Sequence, residues 1–248
     1  MTQNHKAQQK INHYWNQRAE KYHSFQVSTD RAIVDKQVWE NIFRDAIGQS
    51  QRVLDVGTGS GFVAHLLADA GYSVQGIDLS SEMIRIARAH VVPEQRDQHS
   101  ALDSSGGSAS FSLGDALDPP FMPQSFDAVV SRYVMWTLRE PTEAMRNWAR
   151  LLEPGGRLAV VDAPWFPDGI DENPTEHFAE IYDSQVREAL PLAERVSIES
   201  TVEVIKNAGF DDVQFRPLNE IYELDQKLGT VPGHQPTLQY LITARRPR

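Results

Sequence analysis

The stretch that decides the fold is Val53-Leu54-Asp55-Val56-Gly57-Thr58-Gly59-Ser60-Gly61. Strand-forming residues lead into a turn with glycine at every second position, and residues 62–67 then have the composition of a helix. A strand that turns directly into a helix presents free backbone N–H groups and the positive end of the helix dipole to a ligand. Glycine tolerates positive φ and lets a ligand lie against the backbone. The pattern therefore predicts a site for a nucleoside cofactor.

Two details of this stretch bear on the identity of the cofactor. The dinucleotide fingerprint is G-x-G-x-x-G, whereas the third glycine here, Gly61, comes one residue early. Asp55 stands inside the strand, where a carboxylate would repel a pyrophosphate but not an ammonium group. The run from Val53 to Gly61 resembles motif I of the class I S-adenosylmethionine-dependent methyltransferases. That resemblance implies S-adenosyl-L-methionine as cofactor and S-adenosyl-L-homocysteine as product.

Further segments follow in the order and roughly the spacing of that family over residues 50–162. Asp78 ends a second strand and Asp115 closes a third. Residues 125–131 resemble the fourth motif of the family, and residues 151–158 resemble its turn into the fifth strand. The resemblance implies that Asp78 accepts hydrogen bonds from the ribose and Asp115 from the adenine amine. The alternative is that both acids are turn residues at strand ends.

The N-terminal segment Tyr14 to Tyr22 resembles the one that precedes motif I in many small-molecule methyltransferases. The resemblance implies that Tyr22 reaches the cofactor and that Arg18 pairs with its carboxylate. Trp15, Arg18 and Tyr22 are three and four residues apart, so they share one helix face. Such a stripe can also serve packing alone. We expect this helix to be a lid that excludes water.

Residues 132–138, after the fourth strand, are expected to pass beside the sulfonium. Tyr133 and Trp136 are therefore candidate walls of the acceptor pocket, because an electron-rich ring attracts a cation. The sequence differs here from the motif used on exocyclic amines of DNA bases. The chain also has no cysteine, which cytosine methylation at carbon requires.

The segment 163–196 interrupts the regular alternation of elements. Ligand sites in open α/β sheets lie beyond the carboxyl ends of the strands, so this segment is placed to form the acceptor side, with Trp165 and His177 as candidates. The alternative is a helix packed on the edge of the sheet. The candidate general bases are His13, His23, His177 and Asp162. Their spacing distinguishes none of them, so no catalytic residue is assigned.

These arguments give a complete set of predicted site residues, with no metal expected. The predicted cofactor-binding residues are Trp15, Arg18, Tyr22, Asp55, Gly57, Thr58, Gly59, Gly61, Asp78, Leu79, Met83, Asp115, Ala116 and Ser131. The predicted acceptor residues are Tyr133, Trp136, Trp165 and His177.

The alternation of strands and helices from residue 52 to 162 predicts an α/β fold. The expected architecture is a Rossmann-like, doubly wound sheet of seven mostly parallel strands with an antiparallel last strand and two N-terminal helices. Those helices are predicted over 7–25 and 30–47, the second capped by Thr29 or Asp30. Residues 93–110 are predicted to form a surface loop.

The chain is expected to be one domain over residues 1–248. Its parts are a helical lid (1–50), a cofactor-binding core (51–162), an acceptor-side insertion (163–196) and a C-terminal helix and strand pair (197–248). The C-terminal helix is predicted from Ser197 to Ala208, and the last two strands, Asp212 to Phe215 and Leu238 to Thr243, are expected to be joined without a clear helix.

Composition narrows the classes of function. The net charge of −10 argues against a nucleic-acid substrate, and the absence of cysteine excludes a disulfide framework, a thiolate nucleophile and a cysteine–zinc site. No apolar run approaches the ~18 residues of a membrane span, and the polar N-terminus does not resemble a secretion signal. We expect a cytoplasmic enzyme that is a monomer or homodimer and acts on a small-molecule acceptor, without nucleic acid or membrane.

The alternatives at this stage come from different classes of protein. One is a methyltransferase that acts on tRNA or protein. Another is a non-catalytic sensor or partner subunit that binds S-adenosylmethionine. An NAD-linked oxidoreductase is opposed by Asp55 and by the early third glycine.

Overall fold

The computed structural model describes residues 3–27, 31–89, 106–172, 178–230 and 235–248. His177, the predicted cap at Thr29 or Asp30, and residues 93–105 of the predicted loop lie outside these ranges.

In the described part of the chain seven strands form one sheet in the order β3-β2-β1-β4-β5-β7-β6. The strands β1 to β5 are parallel, and β7 is antiparallel to both β5 and β6. This confirms the predicted Rossmann-like sheet and its antiparallel last strand. The strands are β1 (Arg52–Val56), β2 (Ser73–Asp78), β3 (Ser108–Leu113), β4 (Phe126–Arg132), β5 (Leu152–Asp162), β6 (Asp211–Pro217) and β7 (Tyr240–Arg245).

Helices surround the sheet. Short 3-10 turns at Met135–Thr137 and Ile170–Glu172 follow β4 and β5. No helix in the described ranges has the length and hydrophobicity that crossing a membrane requires. The helices are α1 (Gln3–Val27), α2 (Arg31–Ile47), α3 (Phe62–Asp69), α4 (Ser81–Ala89), α5 (Pro141–Leu151), α6 (Phe178–Ile181), α7 (Ser184–Glu188), α8 (Glu199–Asn207) and α9 (Asn219–Leu228).

The core lies on both faces of the sheet because successive side chains of a strand point to opposite sides. Val53 of β1 joins a cluster with Trp39 and Phe43 of α2. Its neighbour Leu54 joins a second cluster with Trp148 of α5. All of these residues are buried. The near-continuous apolar run of β1 is thus explained by helices on both of its faces.

Two sequence predictions about elements were wrong. β3 begins at Ser108, inside the segment predicted as a loop over 93–110. The first three residues of this edge strand, Ser108 to Ser110, are all small, so their composition resembles that of a loop. A helix, α9, joins β6 to β7, where none was expected. The buried residues of α9 are Ile221 and Asp225. Because one of these two inner positions is a carboxylate, the sequence lacks the apolar stripe by which an amphipathic helix is recognised.

α1 lies across the carboxyl ends of the strands. On one side Tyr14 packs edge-on against Phe178 of α6 and Tyr182 directly after it, with ring centroids 5.5 and 5.6 Å apart. On the other side Ala19 packs against Met83 of α4. The residues around α6 and α7 therefore pack on the N-terminal helix.

Candidate active site

The glycine turn between β1 and α3 has the conformation that its sequence predicts. Gly57, Gly59 and Gly61 all have positive φ, at 69°, 55° and 87°. A Cβ atom on Gly57 would lie 2.1 Å from Cγ2 of Val134, which leaves no space for any side chain. The turn therefore brings bare backbone against the loop that follows β4.

Asp55 stabilises this turn through a hydrogen bond to its buried side chain. Its side chain is 1% exposed and accepts a hydrogen bond from the Thr58 hydroxyl at 2.7 Å. Burial raises its pKa to about 6, an effect that the Thr58 hydrogen bond and the positive charge of Arg132 reduce. Asp55 and Thr58 line neither cavity described below. Their contacts in this structure are with the turn and its neighbours: the Thr58 N–H donates to the Ile77 carbonyl of β2 at 2.9 Å, and the Ala64 N–H of α3 donates to Asp55.

Asp78, at the end of β2, faces the turn. Its carboxylate accepts hydrogen bonds from the backbone N–H groups of Gly59 at 3.0 Å and Ser80 at 2.8 Å. Burial raises the pKa of Asp78, and these backbone donors oppose the shift. Leu79 is a third backbone donor to this carboxylate, which has about four acceptor sites, so it retains capacity for a ligand hydroxyl.

A cavity of about 130 Å³ lies between the turn, β2 and α1. Eight of the predicted cofactor-binding residues line it: Trp15, Tyr22, Gly57, Gly59, Asp78, Leu79, Met83 and Ala116. Arg18, Asp55, Thr58, Gly61, Asp115 and Ser131 do not.

The remaining predicted residues make other contacts. Ser131 is fully buried and its hydroxyl donates to the Val56 carbonyl at 2.9 Å, which ties β4 to β1. Asp115 accepts from the Leu117 N–H at 2.9 Å. The Arg18 guanidinium lies 5.3 Å from the centre of the Tyr14 ring. Their predicted contacts with the cofactor remain predictions.

Arg132 is a candidate that the sequence prediction missed. It lines the 130 Å³ cavity and the larger one beside it. Its guanidinium carbon lies 4.7–5.0 Å from the ring centres of Phe62, Tyr133 and Trp39. Among the described residues, no carboxylate pairs with it. A basic residue directly after a buried strand was the signal in the sequence.

The helix α1 is attached to the N-terminus of α4. Oδ1 of Asn16 accepts hydrogen bonds from the Ser80 hydroxyl at 2.7 Å and from the Glu82 N–H at 3.2 Å. The Ser80 hydroxyl in turn accepts the Met83 N–H at 3.1 Å, as an N-cap does. Asn16 therefore couples the position of α1 to the helix that borders the 130 Å³ cavity.

The larger cavity has a volume of about 670 Å³. It shares Trp15, Tyr22, Arg132 and Tyr133 with the smaller cavity. The predicted acceptor residues Tyr133, Trp136 and Trp165 all line it. Its further aromatic walls are Phe25, Trp39, Phe62 and Phe166.

Asp162 sets two of these aromatic side chains in place. Its carboxylate accepts the Trp136 backbone N–H at 3.2 Å and also accepts the indole N–H of Trp165. Burial raises its pKa to about 7. Asp162, His13 and His23 line neither cavity. Of the four candidate bases, these three therefore do not face either cavity in this structure, and His177 lies outside the described residues.

A polar network forms another wall of the larger cavity. Arg31 donates to Asp35 at 2.7 Å and to Asp225 at 2.5 Å. Gln239 donates to Asp225 at 3.1 Å and accepts the Tyr133 hydroxyl at 2.6 Å. Burial raises the pKa of Asp225 and also that of Tyr133, so the Tyr133 hydroxyl stays protonated and acts as a donor.

Comparison with known proteins agrees with this geometry. A family described as "Methyltransferase domain" matches residues 54–160, which run from β1 to β5. A demethylmenaquinone methyltransferase of Renibacterium salmoninarum is 29% identical over 203 residues, which are 73% of this chain and 76% of that protein. Residues 54–160 therefore form a methyltransferase domain, and the chain as a whole is similar to S-adenosylmethionine-dependent methyltransferases.

Two further comparisons show the extent of the similarity. A ubiquinone biosynthesis O-methyltransferase of Thiobacillus denitrificans is 35% identical to this methyltransferase over 107 residues, 43% of this chain and 41% of that protein. The solved structure of Haemonchus contortus phosphoethanolamine N-methyltransferase 2 with S-adenosyl-L-methionine has a TM-score of 0.59 at 22% identity. It covers 86% of this chain and 53% of that one. The Haemonchus contortus enzyme was solved with S-adenosyl-L-methionine and with S-adenosylhomocysteine, and the similarity to it shows a shared fold.

Proposed function

We propose that this enzyme transfers a methyl group from S-adenosyl-L-methionine to a small organic molecule held in the 670 Å³ cavity. The observation that carries this proposal is the set of walls that the two cavities share, Trp15, Tyr22, Arg132 and Tyr133. A cofactor that fills the 130 Å³ cavity and extends beyond it to these shared residues would meet there an acceptor held in the larger cavity. The volume lies within the range of small-molecule sites, about 300–1,000 Å³.

The chain's own residues fit the parts of the cofactor. Asp78 retains acceptor capacity for the ribose hydroxyls, and Leu79 and Met83 provide apolar walls. Arg132 offers a guanidinium without a carboxylate partner among the described residues. We assign it to the cofactor carboxylate in place of Arg18, which lines neither cavity.

The main contribution of the protein to catalysis is to position the acceptor in line with the methyl group of the cofactor. The cofactor supplies a methyl group that is already activated by the positive charge on its sulfur. Trp15, Tyr22 and Tyr133 enclose the junction of the cavities, and α1 covers it against water. Holding two reactants in line can contribute about 7–11 kcal/mol. Among the described residues no histidine lines either cavity, so we assign no general base.

The charge and the relatives both favour a small acceptor. The net charge of −10 disfavours a nucleic acid, which needs a basic surface. Relatives named as demethylmenaquinone and ubiquinone biosynthesis methyltransferases act, by those names, on small molecules. We therefore place the acceptor of this enzyme in the same broad class.

The first test is calorimetric titration with S-adenosylhomocysteine, with NAD as the comparison. We expect binding of S-adenosylhomocysteine at micromolar concentration and none of NAD. A screen of small-molecule acceptors with labelled methyl donor follows. Binding of NAD alone would overturn the proposal.

A second test concerns the assignment of Arg132. Arg132→Ala should weaken the binding of S-adenosylhomocysteine but not that of methylthioadenosine, which has no carboxylate. Arg18→Ala is the matched control and should change neither affinity. Equal losses for both ligands in the Arg132 variant would contradict the assignment.

A further inference from the structure

Gln26, near the end of α1, connects the glycine turn to the larger cavity. Its side-chain oxygen Oε1 accepts the hydroxyl of Ser60 at 3.0 Å, and Ser60 stands between Gly59 and Gly61 of the turn. Gln26 lines the 670 Å³ cavity and not the smaller one. We propose that the amide N–H of Gln26 binds an uncharged oxygen of the methyl acceptor. The inference rests on the proposed function and names the class of acceptor for the same site.

Ser60 determines the orientation of the Gln26 amide. Ser60 is 4% exposed, and a buried hydroxyl needs an acceptor for its proton. The amide oxygen of Gln26 is that acceptor, so the amide NH2 group is turned away from Ser60. Among the described residues, the buried polar side-chain atoms without a partner are Oδ1 of Asp35 and the Tyr182 hydroxyl. The nitrogen of Gln26, which donates to no described residue, is therefore accessible to a ligand.

The second amide of the cavity wall is already engaged at both ends. Gln239 donates to Asp225 at 3.1 Å and accepts the Tyr133 hydroxyl at 2.6 Å. Gln26 differs because the protein uses only its oxygen. A free donor in a cavity wall favours a ligand that brings a hydrogen-bond acceptor, because such a group fixes the orientation of the ligand.

The charges of the cavity favour an uncharged oxygen over a carboxylate. Arg31 pairs with two carboxylates, Asp35 and Asp225, and we assign Arg132 to the carboxylate of the cofactor. Asp168 adds a further acid to the wall. Negative charges are therefore in excess once the cofactor is bound, and a carboxylate on the acceptor would be repelled. An amide N–H carries no charge and suits a carbonyl oxygen.

The remaining walls favour a flat apolar body. Phe25, Trp39, Phe62 and Trp165 present aromatic rings to the cavity, and aromatic rings pack well against one another. Gln26 is not one of the residues that the two cavities share, so the oxygen that it binds is not the methylated atom. The inferred acceptor is therefore an aromatic molecule that carries a carbonyl oxygen at one end and a methyl-accepting atom elsewhere.

The test compares three probes of the same shape on the wild-type enzyme. The probes are the methyl ketone, the isopropenyl compound and the carboxylate of naphthalene, each substituted at the same ring carbon. Binding is measured by calorimetry with S-adenosylhomocysteine at saturation. We expect the ketone to bind about two- to ten-fold tighter than the isopropenyl compound, as one uncharged hydrogen bond gives, and the carboxylate to bind weakest. Failure of the ketone to bind, or equal affinities for the three probes, would overturn the inference.

The variant Gln26→Glu separates the donor from the hydrogen bond to Ser60. At about pH 8 its carboxylate still accepts the Ser60 hydroxyl but has no proton to donate, so the preference for the ketone over the isopropenyl compound should disappear. Gln17→Glu makes the same change at an exposed position of α1 that lines neither cavity, and it should retain the preference. An unchanged preference in Gln26→Glu would refute the role of Gln26. The affinity for S-adenosylhomocysteine, measured first, separates failure of the proposed function from failure of this inference alone.

Discussion

Asp162, at the end of β5, accepts a hydrogen bond from the backbone N–H of Trp136, 3.2 Å away in the loop after β4. The same carboxylate accepts the indole N–H of Trp165. Both rings line the 670 Å³ cavity, although Asp162 itself does not. One buried acid therefore fixes two walls that come from different loops.

Asp162→Asn should lower methyl transfer by about ten-fold or more, because a small displacement of positioning groups is costly in rate. The affinity for S-adenosylhomocysteine should change by less than about two-fold, since Asp162 does not line the cofactor cavity. Asp212→Asn, on the exposed strand β6, is the control for the loss of one negative charge. The kinetics use the acceptor that the screen returns. An equal loss of cofactor affinity would contradict the positioning role.

The contribution of Asp55 and Asp162 to the stability of the fold should fall as the pH rises from acid to neutral. Burial raises the pKa of Asp55 to about 6 and that of Asp162 to about 7, above the value of about 3.9 in an unfolded chain. The folded state then holds more protons than the unfolded state between about pH 4 and pH 7. The contribution of these groups is therefore complete below about pH 4 and is lost as the pH rises through about 6 and 7.

Urea unfolding at about pH 5 and pH 8 measures this effect. The variant Asp162→Asn has no titratable group at position 162. It should lose less stability between the two values than the wild type, by an amount on the order of 1–3 kcal/mol. Parallel losses in the two proteins would show that Asp162 does not titrate in this range.

Gly57 and Gly59 should differ sharply in their tolerance of alanine. Both have positive φ, so each substitution strains the backbone by roughly 1 kcal/mol. A Cβ on Gly57 would also lie 2.1 Å from Cγ2 of Val134, whereas the nearest atom to one on Gly59 is the sulfur of Met83 at 3.9 Å. Gly57→Ala should therefore lower the free energy of unfolding much more than Gly59→Ala.

A second substitution tests that explanation. Val134→Ala removes the clashing methyl group, so the double variant Gly57→Ala/Val134→Ala should recover part of the stability that Gly57→Ala loses. Denaturant unfolding of the two single variants and the double variant gives the coupling free energy. Strict additivity would count against the clash.

Asp78→Ala should weaken the binding of S-adenosylhomocysteine by on the order of 1–3 kcal/mol, because ribose donors lose a charged acceptor and the Gly59 N–H loses its partner. Asp69→Ala, an exposed acid paired with Lys36, is the control. Calorimetry on the two variants makes the measurement. An unchanged affinity in Asp78→Ala would refute the ribose assignment.

The succession of strands and helices from residue 52 to 162 was predictable from local sequence, because each βα unit repeats the same pattern of buried strand and helix. The glycine turn and Asp78 were predictable for the same reason: their chemistry depends on neighbours in the chain. α9 was not predicted, because its buried Asp225 is explained by Arg31, 194 residues away. The pairing of distant charges leaves no periodic signal in a sequence.

The residues that line the cavities also show that contacts between distant parts of the chain cannot be predicted from local sequence. Trp15, Tyr22 and Tyr133 were identified from motifs, and they line the site. Arg132 was not, because its position at the junction depends on three rings contributed by α2, α3 and the loop after β4. Asp35 lies in a helix whose spacing predicts only packing. Its unpaired oxygen is a property of the folded chain.

The side chain of Asn16 attaches α1 to the N-terminus of α4. Oδ1 of Asn16 accepts from the Ser80 hydroxyl and the Glu82 N–H, and these bonds hold α1 against α4 beside the cofactor cavity. Asn16→Ala should loosen α1, so the dissociation of S-adenosylhomocysteine should accelerate by about ten-fold or less, as expected for the loss of one or two ordinary hydrogen bonds. Stopped-flow fluorescence of Trp15, beside the cavity, can follow dissociation.

The control for this last experiment is Gln17→Ala, at an exposed position of the same helix that lines neither cavity. We expect a smaller change in the dissociation rate from Gln17→Ala than from Asn16→Ala. Protection of α1 amides from hydrogen exchange should fall in Asn16→Ala while that of the strands β1 and β4 is retained, because opening of the lid is local. Equal protection of α1 in the wild type and in Asn16→Ala would mean that the packing of Ala19 against Met83 holds α1 in place without the hydrogen bonds of Asn16.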